Sequence, residues 1–126
     1  MKLRIKENSM RLRISPSDLK RLLTTGRIEE VIYFGPEPDA KLTYAVEQAA
    51  SNGEITVRYR PQEVTVVLPT ENIRKWAQGD EVGIYGAFNA GRKQLDWAIE
   101  KDFACLDREE GNEDTFANPQ KSTQVC

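Results

Sequence analysis

At 126 residues the chain has the length of one domain, long enough to bury a core of its own. It contains no histidine, which removes the commonest general base and zinc ligand and excludes Ser–His and Cys–His nucleophile activation. The net charge of −2 conceals a polarity: residues 1–27 carry eight basic side chains against Glu7 and Asp18, whereas residues 107–114 carry five acidic side chains against Arg108.

No apolar run approaches the ~20 residues that span a bilayer, and the basic N-terminus lacks the apolar segment of a secretory signal. Cys105 and Cys126 are too few for a disulfide framework. Together these point to a cytoplasmic chain with free thiols and no membrane partner.

The opening stretch, Lys2 to Ile14, alternates apolar and basic residues with the period of a half-buried strand. It reads as a hairpin with Lys2, Arg4, Lys6, Arg11 and Arg13 on one face, above a layer containing Leu3, Ile5, Met10, Leu12 and Ile14. A helix follows over 15–26, with Ser15 as N-cap, Pro16 at the first helical position, Asp18 in the capping-box slot and Gly26 as the stop. Arg27 to Gly35 reads as a strand, broken by Gly35-Pro-Glu-Pro-Asp39.

Alternation at Leu42, Tyr44 and Val46 predicts the next strand, and Asn52-Gly53 a turn. Ile55, Val57 and Tyr59 then alternate with Thr56, Arg58 and Arg60, repeating the apolar-and-basic pattern of the opening. Pro61-Gln62 turns into a β-branched run over 63–68. A second helix is expected over 69–79, with Thr70 as its cap and Trp76 docked inward. Two closing strands follow at about 81–88 and 93–104.

The order is ββαββββαββ with short connections, which favours antiparallel pairing. The expected fold is α+β: a mainly antiparallel, strongly curved or barrel-like sheet of about eight strands with two short helices. Residues 1–106 read as a single domain and 107–119 as an acidic segment partly tethered through Phe116. Residues 120–126 read as a disordered tail.

Two constellations carry the chemistry. The first is the basic set Lys2, Arg4, Lys6, Arg11, Arg13, Arg58 and Arg60. Its planar guanidinium groups suit phosphate or carboxylate, so it reads either as an anion-binding face or as a solvated face guarding a sheet edge. Nucleic acid is disfavoured, because only Tyr59 interleaves with the basic residues and the sequence pI is near 5.3. The second is Asp96, Glu100 and Asp102 on the last strand, with Glu47 nearby. These are weak candidates for Mg²⁺ or Mn²⁺ ligands in a phosphate- or nucleotide-handling enzyme; cross-strand ion pairing with Arg11, Arg13, Arg58 or Arg60 is the other reading. The sequence requires no cofactor and names no reaction.

Lys2-x-Arg-Ile-Lys-x-Asn-Ser-x-Arg-Leu-Arg13, Tyr33-Phe-Gly35, Glu100-Lys-Asp-Phe-Ala-Cys-Leu-x-Arg108, Asn112-Glu-Asp and Phe116-Ala-Asn-Pro119 resemble an uncharacterised family of small bacterial proteins with a domain of unknown function. That resemblance covers nearly the whole chain and implies no activity. It does imply that residues 107–119 belong with the domain. The strand-rich plan with alternating charges also looks like the triphosphate tunnel enzymes of the adenylate cyclase and thiamine triphosphatase group. Their first-strand E-x-E-x-K signature is met here only by its lysine, in Lys2-Leu-Arg-Ile-Lys6. The reading that follows is a non-enzymatic module binding a protein or a phosphate-type ligand through its basic face, with a homodimer possible by strand addition.

Overall fold

A computed structural model describes residues 1–50, 53–103 and 114–117. The elements run β1 (Lys2–Lys6), β2 (Ser9–Ile14), α1 (Pro16–Thr25), β3 (Arg27–Tyr33), β4 (Lys41–Ala49) and β5 (Thr56–Arg60). The chain continues with β6 (Glu63–Pro69), α2 (Thr70–Gln78), β7 (Gly83–Asn89) and β8 (Gln94–Lys101). The fold is α+β, as the order of elements implies. Among the described residues no helix is long and apolar enough to cross a membrane.

The strands do not close into one barrel or tunnel. They form two four-stranded sheets, ordered β1-β2-β8-β7 (sheet A) and β3-β4-β6-β5 (sheet B). Among the described residues four of the six strand pairings are antiparallel, so the pairing is mainly antiparallel as expected. Each sheet consists of two hairpins whose inner strands run parallel, β2 with β8 and β4 with β6. The short connections do make hairpins, as short links must. They say nothing of how one hairpin meets another, and there the parallel seams arise.

The two sheets share one plan. Lys2 lies opposite Arg13 in sheet A as Thr56 lies opposite Val67 in sheet B. Glu100 has Arg13 on one side and Gly83 on the other, as Glu47 has Val67 and Arg27. The chain is therefore two ββαββ halves, 2–49 and 56–101, and each sheet takes one hairpin from each half. The strongest trace of this in the sequence is Tyr44-Ala-Val-Glu47 against Trp97-Ala-Ile-Glu100.

Local chemistry sets both ends of α1. The Ser15 hydroxyl accepts from the Asp18 amide at 3.2 Å, and the Asp18 carboxylate accepts from the Ser15 amide at 3.4 Å, completing the capping box. Gly26 ends α1 at φ 83°, a conformation that disfavours side chains. The expected Thr70 cap does not form. Pro69 occupies the cap position of α2, and the Thr70 hydroxyl donates to the Ala49 carbonyl at 2.8 Å, tying α2 to the end of β4.

One core joins both sheets and both helices. Leu12, Ile14 and Ile99 from sheet A, Val46, Val66 and Leu68 from sheet B, Leu22 from α1, and Ile73 and Trp76 from α2 are fully buried. Trp76 donates from Nε1 to the Val82 carbonyl at 3.3 Å, meeting its one polar requirement. Lys101, on the inward face of β8, is nonetheless buried. Its Nζ donates to the Gly79 carbonyl at 2.8 Å and sits 5.4 Å from the centre of the Phe116 ring.

Phe116 also packs edge-to-face on Phe103, with centroids 6.0 Å apart, and its amide donates to the Asp102 carbonyl. Asp114 accepts from the Ser17 hydroxyl at 2.6 Å, at the start of α1. The acidic run 107–113, both cysteines and Asn52 lie outside the described residues.

Trp97 fixes a close approach at β7. A Cβ on Gly86, its cross-strand partner, would come within 2.4 Å of the indole ring. Gly86→Ala should therefore displace Trp97 and lower stability by about 1–3 kcal/mol, read as a fall in the urea midpoint at unchanged slope.

Candidate functional site: the two outer sheet faces

With the apolar side chains turned inward, each sheet presents its alternate residues outward. The registers then fix which side chains are neighbours. Across sheet A the outward rows are Lys2, Arg13, Glu100 and Gly83; then Arg4, Arg11, Ala98 and Tyr85; then Lys6, Ser9, Asp96 and Ala87. Across sheet B they are Thr56, Val67, Glu47 and Arg27; then Arg58, Thr65, Ala45 and Glu29; then Arg60, Glu63, Thr43 and Val31.

The seven basic residues picked from the sequence thus do not form one constellation. Lys2, Arg4, Lys6, Arg11 and Arg13 share the face of sheet A, while Arg58 and Arg60 belong to sheet B. Periodicity locates a face but not its sheet, so the split was not legible from strand patterns.

Sheet B neutralises itself. Arg27 reaches Glu29 at 3.0 Å, Glu47 at 3.0 Å and Glu63 at 2.7 Å, and Arg58 reaches Glu47 at 3.0 Å. This network roofs Thr65 and Ala45, which are fully buried although they point outward. The Thr65 hydroxyl donates to Glu63 at 3.1 Å. Hydrogen bonds from Arg58, and then from Arg27, hold the Glu47 carboxyl below the usual carboxylate range, and those from Arg27 and Thr65 do the same for Glu63. Arg27 and Glu63 escaped the sequence reading because their partners lie on three different strands.

Sheet A does not. At the positions corresponding to Glu63 and Thr65 stand Ser9 and Arg11, so a carboxylate is lost and a cation gained on the same plan. Arg11 Nε meets Glu100 at 3.1 Å, and Lys2 meets Asp102 at 2.9 Å. Among the described residues Arg4, Lys6 and Arg13 have no ion-pair partner. Arg4, Lys6, Ser9 and Arg11 line a cleft of about 170 Å³ that contains no carboxylate. It adjoins a groove of about 240 Å³ over Ala98, flanked by Arg11, Tyr85 and Asp96. Lys2 and Arg13 line a separate cleft of about 300 Å³, in company with Asp18, Asp102 and Asp114.

Tyr85, Glu100 and Arg11 form a chain across this face. The Tyr85 hydroxyl donates to Glu100 Oε2 at 2.7 Å, while Glu100 Oε1 takes Arg11 Nε. Partial burial, and the hydrogen bond to the Glu100 carboxylate, push the Tyr85 phenol up to about 12. Glu100 thereby orients Arg11 while leaving its terminal nitrogens without a partner among the described residues.

The weak metal candidates are separately engaged. Glu100 serves Arg11 and Tyr85, Asp102 serves Lys2, and Asp96 accepts from Gln94 at 3.0 Å. Among the described residues no three Asp, Glu, Cys or His side chains converge to hold a metal ion. The cross-strand reading is the one the Arg11–Glu100 pair realises.

Two-sheet architecture and faces of unequal charge define a duplicated α+β domain. A family model, a family of unknown function (DUF7009), matches residues 1–120, and the chain belongs to that family. No curated protein and no solved structure matches it.

The sheet B network has a pH signature. Because the Glu47 carboxyl is held below its ordinary value in the fold, its stabilisation is present above the unfolded value, 4.5, and is lost as pH falls through the lowered folded value. Glu47→Gln should cost about 1–2 kcal/mol at neutral pH by urea unfolding, and the difference from wild type should shrink in acid.

Proposed function

We propose that this protein is a binding module that takes a phosphate-type anion on the outer face of sheet A, in the cleft of Arg4, Lys6, Ser9 and Arg11. One observation carries the reading. Two faces are built on the same register, and among the described residues sheet A carries three cations around a cleft with no carboxylate in its lining, whereas Arg27 and Arg58 of sheet B are ion-paired. On sheet B the same plan pairs Arg27 and Arg58 with Glu29, Glu47 and Glu63, and Arg60 is left exposed with no ion-pair partner among the described residues.

The cleft suits such a ligand in size and chemistry. Its volume of about 170 Å³ equals about six water volumes of ~30 Å³, the scale of a phosphoryl group or two. Arg4 and Arg11 offer planar donor forks, Lys6 a mobile point charge and Ser9 a hydroxyl. The Ser9 hydroxyl donates to the Lys6 carbonyl at 2.6 Å, which leaves its lone pairs as acceptors for a protonated phosphate oxygen. A divalent metal enters this picture less readily, since it would have to displace Arg11 or Lys2 from the carboxylates they hold. No chemistry beyond binding is assigned to the face.

Calorimetric titration with inorganic phosphate and with pyrophosphate at low ionic strength tests this. Wild type should bind, more weakly as salt rises, and Arg4→Ala with Lys6→Ala should weaken binding at least about tenfold. Arg60→Ala, which removes an exposed cation from sheet B, should change nothing. Absence of heat with either anion, or an equal loss in Arg60→Ala, would overturn the assignment.

A further inference from the structure

The sheets expose four edges: β1 and β7 in sheet A, β3 and β5 in sheet B. An edge strand presents unpaired N–H and C=O groups, and native proteins usually blunt it with charge or proline. Three edges here follow that rule, with Lys2, Arg4 and Lys6 on β1, Arg27, Glu29 and Glu30 on β3, and Arg58 and Arg60 on β5. β7 does not. Its sequence, Gly-Ile-Tyr-Gly-Ala-Phe-Asn, has neither charge nor proline. Among the described residues no strand pairs with its far side. Val82 before it, and Tyr85 and Phe88 within it, are exposed.

The ladder fixes which backbone groups are available. The Lys101 amide donates to the Val82 carbonyl and the Ala90 amide to the Lys93 carbonyl, at the two ends of the β7–β8 pairing. Alternation of hydrogen-bonded pairs along an antiparallel ladder then turns the N–H and C=O of Gly83, Tyr85, Ala87 and Asn89 away from β8.

We propose that β7 is a self-association edge, on which two copies of this chain pair antiparallel about a two-fold axis at Gly86. The assignment does not depend on the anion reading. An axis at Gly86 places Tyr85 opposite Ala87 of the second copy and Gly83 opposite Asn89, so the outward-turned groups meet one another. Ile84 falls opposite Phe88 on one face, and the large Tyr85 opposite the small Ala87 on the other. At the axis two backbones meet at glycine, where no side chain intervenes.

The flanks are complementary as well. Asp80 and Glu81 precede β7, and Arg92 and Lys93 follow it. All four are exposed, with no ion pair among the described residues. Antiparallel pairing brings the acidic flank of each copy beside the basic flank of the other. The other edges oppose self-pairing, because their centres would set Arg4 on Arg4, Arg58 on Arg58 or Glu30 on Glu30. The pairing would join two copies of sheet A into one continuous sheet and place both cationic clefts on one surface.

Light scattering across a concentration series reads the result. The full chain should rise from the 14.3 kDa of one copy to twice that mass as concentration reaches roughly 100 μM. Ala87→Pro removes an outward N–H without touching the β8 ladder and should hold the protein at one-copy mass with unchanged circular dichroism. Asp80→Lys with Glu81→Lys should weaken association several-fold, and adding Arg92→Glu with Lys93→Glu should recover it. The second set of variants changes only exposed side chains, so it remains informative if Ala87→Pro perturbs folding. A wild type that stays at one-copy mass would overturn the proposal. So would a dimer that the charge reversals leave unmoved.

Discussion

The parallel pairing of β2 with β8 is the constraint on which the molecule depends. It joins strands from opposite ends of the chain, and β4 with β6 repeats its parallel geometry in the second sheet across a much shorter stretch of chain. A contact as distant in sequence as β2 with β8 costs loop-closure entropy, which the shared core must offset. Leu12, Ile14 and Ile99 lie on one seam and Val46, Val66 and Leu68 on the other, all fully buried. Fully buried apolar side chains thus line both parallel seams, with Leu22, Ile73 and Trp76 of the helices packed into the same core.

Everything outward follows from those seams. Because β8 lies beside β2, Glu100 meets Arg11 and takes Tyr85 from the far side. Because β6 lies beside β4, Glu63 comes within reach of Arg27, which already faces Glu47 in the β3–β4 hairpin. The same two seams leave β1, β7, β3 and β5 as edges. Duplication supplies the frame, and substitution on it supplies the difference. Arg4 corresponds to Arg58 and Glu100 to Glu47, but Ser9 replaces Glu63, Arg11 replaces Thr65 and Gly83 replaces Arg27. One face closes on its own charges, and the other keeps cations to spare.

Local structure was legible in the sequence because its causes are local. Ser15, Asp18 and Gly26 specify α1 within a dozen residues, and the alternation from Lys2 to Ile14 specifies two strands and their inward side. Thr70 misled because a threonine before an apolar stripe looks like a cap, whereas Pro69 takes that place and the hydroxyl ties α2 to β4. Pairing between hairpins was not legible, since a period of two reports which face is buried and not which strand lies alongside. Periodicity therefore groups Lys2, Arg4, Lys6, Arg11 and Arg13 on one face but cannot tell that Arg58 and Arg60 belong to the other sheet. The repeat left a readable trace in Tyr44-Ala-Val-Glu47 and Trp97-Ala-Ile-Glu100, too short to stand out without the register.

Bound as proposed, an anion selects between two faces of equal architecture. Amide chemical-shift mapping during a pyrophosphate titration tests it most directly. The amides of Arg4, Lys6, Ser9 and Arg11 should shift and saturate together, while those of Arg58, Arg60, Glu63 and Thr65 stay in place. Equal movement on both hairpins, or movement confined to sheet B, would contradict it.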